Sequence, residues 1–105
     1  MITSEQVEKA NDWILQHAQD FARAKANRIY LEEFRKSKKA ILVQQATGTG
    51  LERESYAYAH EDYIALLDGL REAVEAEESL RWKLIAAQAR IETWRTQESS
   101  RRAGV

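Results

Sequence analysis

The 105-residue sequence contains no cysteine and no proline, and it has only four glycines. Without cysteine, the chain can form no disulfide, no thiolate nucleophile and no cysteine-based zinc site. Few residues that break a helix are present, so a small number of long helices is favoured. No apolar run approaches the roughly 20 residues of a membrane span, and no basic segment opens the N-terminus. We therefore expect no membrane partner and a cytoplasmic location.

Charge is almost balanced, with a net value of −1. Residues 1–50 contain eight Lys/Arg and six Asp/Glu, whereas residues 51–105 contain eight and eleven. This opposition is too weak to indicate a nucleic-acid-binding domain. It favours docking of one half of the chain on the other, or of one subunit on its neighbour.

What the sequence does contain is an apolar repeat of seven residues between Tyr56 and Trp94. Eleven of its twelve positions are uncharged, and Glu77 alone interrupts it. Such a repeat places one continuous stripe along one face of a helix, and this stripe must be covered by protein. Its positions are Tyr56, Ala59, Tyr63, Leu66, Leu70, Ala73, Glu77, Leu80, Leu84, Ala87, Ile91 and Trp94.

The pattern predicts a single helical domain. We expect a helix over about residues 4–45, a turn over 47–50, a long helix over about 53–98 and a frayed tail over 99–105. Thr3 and Gln6 fit a capping box at the first helix. The apolar segment 40–43 fits either a strand or a helical turn, and helix is favoured because a lone strand has no partner. Gly69 indicates either a bend or a close approach.

These expectations define an all-α fold: an extended antiparallel helical hairpin whose long C-terminal helix has coiled-coil character. We expect the first helix to be shorter than the second, so part of the stripe should stay uncovered. Uncovered apolar surface of that size usually marks an interface. We therefore expect a homo-oligomer, with a dimer as the first choice. The residues expected to form the packing or oligomer interface are Tyr56, Tyr63, Leu66, Leu70, Ala73, Glu77, Leu84, Ile91 and Trp94.

Glu77 stands where an apolar residue is expected. A buried carboxylate is costly unless it is paired, and Arg81, Lys25 and Arg28 are candidate partners. One interpretation is a polar residue that fixes helix register and partner number. The other is a local opening of the stripe, which would leave Glu77 solvated. The sequence does not decide between them.

No arrangement of catalytic residues is apparent, and a thin helical hairpin offers little volume for a pocket. We expect no enzymatic activity, no cofactor and no metal. His17 and His60 lack the spacing of a helical two-histidine zinc motif. The segment Thr47-Gly48-Thr49-Gly50 lacks the Lys-Ser/Thr ending of a phosphate-binding loop, so a turn between helices explains it better.

Two surface features suggest partners. The basic stretch, defined as Arg35, Lys36, Lys38 and Lys39, could contact a phosphate backbone without reading its sequence. Solvated helix surface is the commoner explanation of such a run. Trp82 lies between Arg81 and Lys83 and fits either ordinary packing or an exposed anchor for a partner protein.

The second half of the chain contains a set of short segments that together resemble a known group of proteins. They are Ser55-Tyr56-Ala57, Tyr63, Leu70-Arg71-Glu72-Ala73, Leu80-Arg81-Trp82 and Ile91-Glu92-Thr93-Trp94-Arg95-Thr96. These segments resemble those of small helical proteins encoded by tailed bacteriophages and prophages. The resemblance covers roughly residues 35–102 and implies a role in phage DNA metabolism in the bacterial cytoplasm, without catalytic residues.

The function expected from the sequence is that of a non-enzymatic accessory protein. It would act through self-association and protein–protein contacts, in phage DNA recombination or replication. A nucleic-acid-binding module that uses the basic stretch is the first alternative, and a structural component of the virion is the second.

Overall fold

The computed structural model describes residues 1–104, which form three α-helices and no strand. Helix α1 spans Ser4–Gln45, α2 spans Gly50–Ala59 and α3 spans Glu61–Arg102. The prediction of an all-α fold with a long C-terminal helix is confirmed. The segment 40–43 lies inside α1, so it is helical.

Helix α1 begins with a reciprocal cap. The backbone N–H of Thr3 donates to Oε1 of Gln6 at 2.9 Å, and the backbone N–H of Gln6 donates to Oγ1 of Thr3 at 3.2 Å. These bonds satisfy two donors that the first turn of a helix leaves without partners. The capping box expected from the sequence is therefore present.

The turn between α1 and α2 depends on Gly48 and Thr49. Gly48 has a φ of 107°, a backbone conformation that residues with a side chain rarely adopt. Thr49 caps α2, because its Oγ1 accepts the backbone N–H of Glu52 at 3.2 Å. Helix α2 thus begins at Gly50, three residues before the start expected for the second helix.

The expected second helix is also divided at His60. This residue has φ −67° and ψ 137°, an extended conformation that ends α2. Its Nδ1 accepts the backbone N–H of Asp62 at 3.0 Å and so caps the first turn of α3. The sequence reading missed this break because no glycine or proline marks it. At the other end, α3 continues to Arg102, where a frayed tail was expected, and Val105 lies outside the described residues.

The contacts of the chain divide it into two units. Unit 1 combines Met1–Ala22 with Glu78–Val105, of which residues 78–104 are described, and unit 2 is Arg23–Glu77. Each unit therefore contains a segment of α1 and a segment of α3, and the single domain expected from the sequence stays a prediction.

Unit 1 pairs the first part of α1 with the second part of α3, and the two segments are antiparallel. The backbone N–H of Ile2 donates to Oε1 of Gln97 at 3.1 Å. Further along, Ala10 and Ala87 are buried and line the same groove. Ile14, Phe21, Leu80 and Leu84 line another groove and are half-buried. The alanines allow the two helices to approach closely.

Unit 2 contains the only large side chain of the described residues that is fully enclosed, Leu42, which is 1% exposed. It packs with Ala57 and Tyr63, and Val43 contacts this cluster. One residue of each helix therefore meets at the closed end of the hairpin. Because two helices alone cannot surround a side chain, α2 supplies the third wall here.

The coverage of the apolar stripe differs from the expectation. Helices α1 and α3 each contain 42 residues, so α1 is not the shorter of the two. From Tyr63 to Trp94 every position of the stripe is buried or half-buried. No long section of it is left bare, so the original reason for expecting an oligomer does not hold.

Candidate interaction surfaces

Glu77 is buried and forms a bidentate ion pair with Arg28 in unit 2. The Glu77 residue is 7% exposed. Its two carboxylate oxygens accept from Nε of Arg28 at 2.6 Å and from Nη2 at 3.0 Å. Such fork geometry is the most directional form of an arginine–carboxylate contact. The interpretation in which Glu77 is solvated is therefore wrong. Of the three candidate partners, Arg28 is the one that forms this ion pair.

The same arginine is held by a second carboxylate. Nη1 of Arg28 donates to Glu32 one turn along α1 at 3.1 Å. The hydrogen bond to Glu77, followed by the bond to Glu32, raises the pKa of Arg28 above its ordinary value, although partial burial opposes the shift. The guanidinium is thus charged at every working pH. The pair joins α1 to α3 at one register within the chain.

The other residues expected at an oligomer interface mostly face the interior of the hairpin. Tyr63 and Ala73 are buried, and Leu66, Leu70, Leu84, Ile91 and Trp94 are half-buried. Tyr56 is 45% exposed and belongs to α2, where the break at His60 removes it from the stripe of α3. The heptad pattern therefore marks the packing between helices of one chain, and Leu66 is the stripe residue among them that also lines an open groove.

The basic stretch is largely neutralised by neighbouring acids. Lys36 pairs with Glu33 at 3.3 Å, Lys38 with Asp62 at 3.5 Å and Lys39 with Glu54 at 3.4 Å. Within residues 1–104, Arg35 has no ion pair, and it lines a small hollow with Lys36, Lys39, Tyr58 and Tyr63. Two of the four cations therefore bind α2 or α3 of the same unit, so their first role is to hold the hairpin together.

Lys39 has the most elaborate environment of this stretch. Its Nζ donates to the hydroxyl of Tyr58 at 2.6 Å and lies 4.4 Å from the centre of that ring. The Tyr58 hydrogen bond, and after it the bond to Glu54, raises the pKa of Lys39 above its ordinary 10.5. A raised pKa means that this contact contributes stability below pH 10.5 and loses it as the pH rises past the raised pKa.

Unit 2 carries an aromatic ridge beside a groove. The ridge is Tyr30 and Phe34, whose rings stack at 5.9 Å with 7° between their planes. Tyr30 is 62% exposed, and Ile41 continues the same side of α1 two turns beyond Phe34. Apolar rings stacked in water are not a feature that a solvated helix surface requires.

The adjoining depression, called here the Gly69 groove, has a volume of about 380 Å³. Phe34 forms its wall on α1, while Ala65, Leu66 and Gly69 line it on α3. The Lys38–Asp62 ion pair stands at its edge. A Cβ added at Gly69 would meet no atom within 4 Å. The groove is therefore open enough to receive a side chain.

The remaining singled-out residues have ordinary surroundings except Trp82. His17 stacks on Trp13 at 4.5 Å and contacts Asp20, and His60 is a helix cap. Trp82 is 60% exposed, with the Arg81 guanidinium 5.1 Å from its ring centre. Within residues 1–104, no group of three His, Asp or Glu side chains converges as a metal site would require.

The prediction from sequence missed the aromatic ridge because Tyr30 and Phe34 lie on α1, off the heptad stripe. The ridge had a sequence signal, since Tyr30, Phe34 and Ile41 follow helical spacing. The Gly69 groove was missed because Leu66 is the one position of the stripe in its lining. A Cβ added at Gly69 would meet no atom within 4 Å, so the bend and the close approach expected there both stay predictions.

Comparison with protein-family models, with curated proteins and with solved structures finds no match for this chain. Among the described residues, no helix combines the length and the apolar character needed to cross a membrane. The surfaces of the two units are therefore the features that bear on what the protein binds.

Proposed function

We propose that the protein is a non-enzymatic helical accessory protein that acts by self-association and by contacts with other proteins. The observation that carries the proposal is the aromatic ridge next to the Gly69 groove in unit 2. A ridge and a groove on one face form a self-complementary surface, which is what a two-fold dimer requires. In the proposed dimer, Tyr30 and Phe34 of one copy enter the Gly69 groove of the other.

Charge supports the same pairing. In unit 2, residues 23–45 carry seven Lys/Arg and two Asp/Glu, while residues 46–77 carry two and eight. A two-fold axis on this face places the basic α1 of each copy against the acidic α3 of the other. Opposite charges then meet in both halves of the interface, which favours this orientation over its reverse.

Exposed apolar side chains also concentrate in unit 2. Of the exposed large hydrophobic residues within 1–104, only Met1, Leu15, Trp82 and Ile85 belong to unit 1. Those of unit 2 are Ile29, Tyr30, Phe34, Ile41, Leu51, Tyr56, Tyr58, Ile64, Leu67 and Val74. A helix pair that leaves so much apolar surface in water gains from covering it, at about 25 cal/mol for each Å².

Sedimentation velocity over a range of concentrations tests the dimer. The wild-type protein should pass from monomer to dimer as its concentration rises. Gly69→Leu should fill the groove and leave a monomer with unchanged helix content, because a Cβ at this position meets no atom within 4 Å and the groove lies beside it. Phe34→Ser should also abolish the dimer by removing the ridge.

Two matched controls separate assembly from general surface effects. Ala89→Leu places the same side chain at an exposed position of α3 in unit 1, and Leu15→Ser removes an exposed apolar side chain from α1 in unit 1. Both should dimerise like the wild type. A wild-type protein that stays monomeric at the highest soluble concentration contradicts the proposal, as does a Gly69→Leu variant that dimerises normally.

The setting we propose is phage DNA recombination or replication, and its support is the sequence resemblance of residues 35–102. The nucleic-acid-binding alternative remains a separate proposal, and within residues 1–104 Arg35 and Lys36 are the cations of the basic stretch that form no ion pair with α2 or α3. A role in the virion is a third proposal, for which no surface of the molecule gives specific support.

Salt-dependent titration with single- and double-stranded DNA distinguishes the alternatives. If DNA binding is the function, the wild type should bind with a steep salt dependence, and Arg35→Glu with Lys36→Glu should abolish binding while the dimer persists. If self-association is the function, the same double variant should leave both the dimer and the titration with DNA unchanged from the wild type. Arg101→Glu with Arg102→Glu is the control for a general loss of positive charge.

A further inference from the structure

Unit 1 contains a second groove, called here the cationic groove, with a volume of about 300 Å³. Its floor is made of alanines, Ala10 from α1 and Ala86 and Ala87 from α3, and Trp13 closes one side. Ala10 and Ala87 are buried, so Ala86 is the alanine that the floor exposes, and its short side chain lets a third helix approach closely. The floor offers apolar contact and no hydrogen-bonding side chain.

Three cations surround this floor, and no carboxylate lines it. They are Lys9 on α1 and Lys83 and Arg90 on α3. Seven residues separate Lys83 from Arg90, so they lie on the same side of α3 two turns apart, at about 10.5 Å. The groove therefore combines an apolar base with a positively charged rim.

The two cations of α3 differ from three arginines of that helix in unit 1. Arg81, Arg95 and Arg101 each contact a glutamate three residues earlier, at 2.8, 2.9 and 2.5 Å. Lys83 and Arg90 have no ion pair within residues 1–104, because the residues three and four positions before and after them are serine, leucine, alanine, threonine and tryptophan. Lys9 pairs only with Glu5, at 3.5 Å and with both side chains about three-quarters exposed. These positive charges are thus available to another molecule.

We propose that the cationic groove binds an acidic amphipathic helix of a partner protein. Its apolar face would pack on Ala86 and against Trp13, and carboxylates spaced seven residues apart would reach Lys83 and Arg90. The third cation, Lys9, contacts the helix from the opposite wall. Helix-in-groove recognition commonly uses apolar anchors at helical spacing, and the complementary charges set orientation. The groove uses no residue of the Gly69 groove, so the proposal does not rest on the dimer.

A fluorescently labelled synthetic helix tests this assignment with the full-length protein. The probe carries leucines on one face and glutamates at seven-residue spacing beside them, and a matched peptide carries glutamine at the glutamate positions. The acidic peptide should bind, and the glutamine peptide should bind roughly tenfold more weakly. Lys83→Glu with Arg90→Glu should weaken binding of the acidic peptide by at least about tenfold. The same variant should also reduce the difference in affinity between the acidic peptide and the glutamine peptide.

Three control variants separate binding in the groove from general effects of charge, folding and dimerisation. Arg95→Glu with Arg101→Glu changes the same net charge on the same helix outside the groove and should leave peptide affinity within about twofold. Ala87→Leu should block the groove without altering charge, and circular dichroism identifies any variant that fails to fold, in which case Ala86→Leu replaces it at the exposed alanine of the floor. The monomeric Gly69→Leu variant should bind the peptide like the wild type.

Other outcomes overturn the proposal. These are equal affinity for the acidic and glutamine peptides, no effect of the double charge reversal, or no effect of filling the groove. Binding of double-stranded DNA or of phosphatidylglycerol vesicles through Lys83 and Arg90, with no binding of the acidic peptide, would assign the groove to a different class of partner.

Discussion

At the residue scale, the buried ion pair between Glu77 and Arg28 is the most informative contact of the molecule. A carboxylate within an apolar stripe is unfavourable unless a donor reaches it, and here a guanidinium from the other helix supplies two hydrogen bonds. A shift of one helix along the other by a single turn would separate these groups. The pair thus specifies the register of α1 against α3 within one chain.

Removing the charge of Glu77 should destabilise the protein. Glu77→Gln keeps the shape of the side chain but leaves the guanidinium facing a neutral amide in a half-buried position. We expect a melting temperature lower by about 5 to 10 °C. Circular dichroism melts at a concentration where the protein is monomeric provide the measurement.

Glu78→Gln is the matched control for this prediction. Glu78 contacts Arg81 one turn along the same helix at 2.8 Å, with both side chains more than 40% exposed. Pairs of this kind contribute little, so its melting temperature should stay within about 2 °C of the wild type. Equal effects of the two substitutions would show that Glu77 has no special structural role.

At the scale of the elements, the short turn and α2 determine how the hairpin closes. Helix α2 has ten residues, too few to be stable alone, and it is maintained by the Thr49 cap and by the burial of Ala57 against Leu42. Gly48 permits the left-handed backbone that leads into the cap. A small number of residues therefore controls the position of both long helices.

The two neighbouring glycines of this turn should respond oppositely to alanine. At Gly48 the backbone φ is 107°, and an added Cβ would overlap the Glu52 carboxylate, so Gly48→Ala should destabilise the fold by about 1 kcal/mol or more. At Gly50 an added Cβ meets no atom within 4 Å, so Gly50→Ala should be neutral or stabilising. Urea unfolding of both variants measures the difference, and similar losses at both sites would contradict the structure of the turn.

The sequence was a reliable guide to elements and a poor guide to surfaces. Thr3 and Gln6 marked the start of α1, and the heptad repeat marked the helix face that packs in the interior, because capping and periodicity are local properties. The break at His60 was not foreseen, since it depends on a backbone bend that tertiary packing around Leu42 supports. The Gly69 groove depends on which residues of α1 lie beside α3, and no local pattern specifies that.

At the scale of the whole molecule, charge alternates along the chain in four segments that follow the two units. Residues 1–22 contain one Lys/Arg and four Asp/Glu, and residues 78–104 contain six and three. These segments form unit 1, while the basic 23–45 and acidic 46–77 segments form unit 2. Within each unit, helix segments of opposite net charge are thus paired. The net charges of residues 1–50 and 51–105 hide this pattern, because each half combines a basic segment with an acidic one.

This arrangement predicts that salt destabilises the fold. Screening shortens the range of electrostatic attraction from about 20 Å in dilute buffer to a few Å near 1 M salt, so the attraction between segments weakens. We expect the melting temperature of the monomer to fall by about 3 °C or more between 20 mM and 500 mM sodium chloride. A melting temperature that stays constant or rises over this interval would show that apolar packing alone pairs the helices.

The position of the Leu42, Ala57 and Tyr63 cluster has a consequence for folding kinetics. These residues are separated by only 15 and 6 positions, so bringing them together closes short loops at small entropic cost, whereas the contact between Ile2 and Gln97 spans 95. Folding of the hairpin should therefore begin at its closed end, and the pairing of α1 with α3 should then extend toward the termini. Backbone amides around the cluster should exchange with solvent slowest, and those near the chain ends should exchange first.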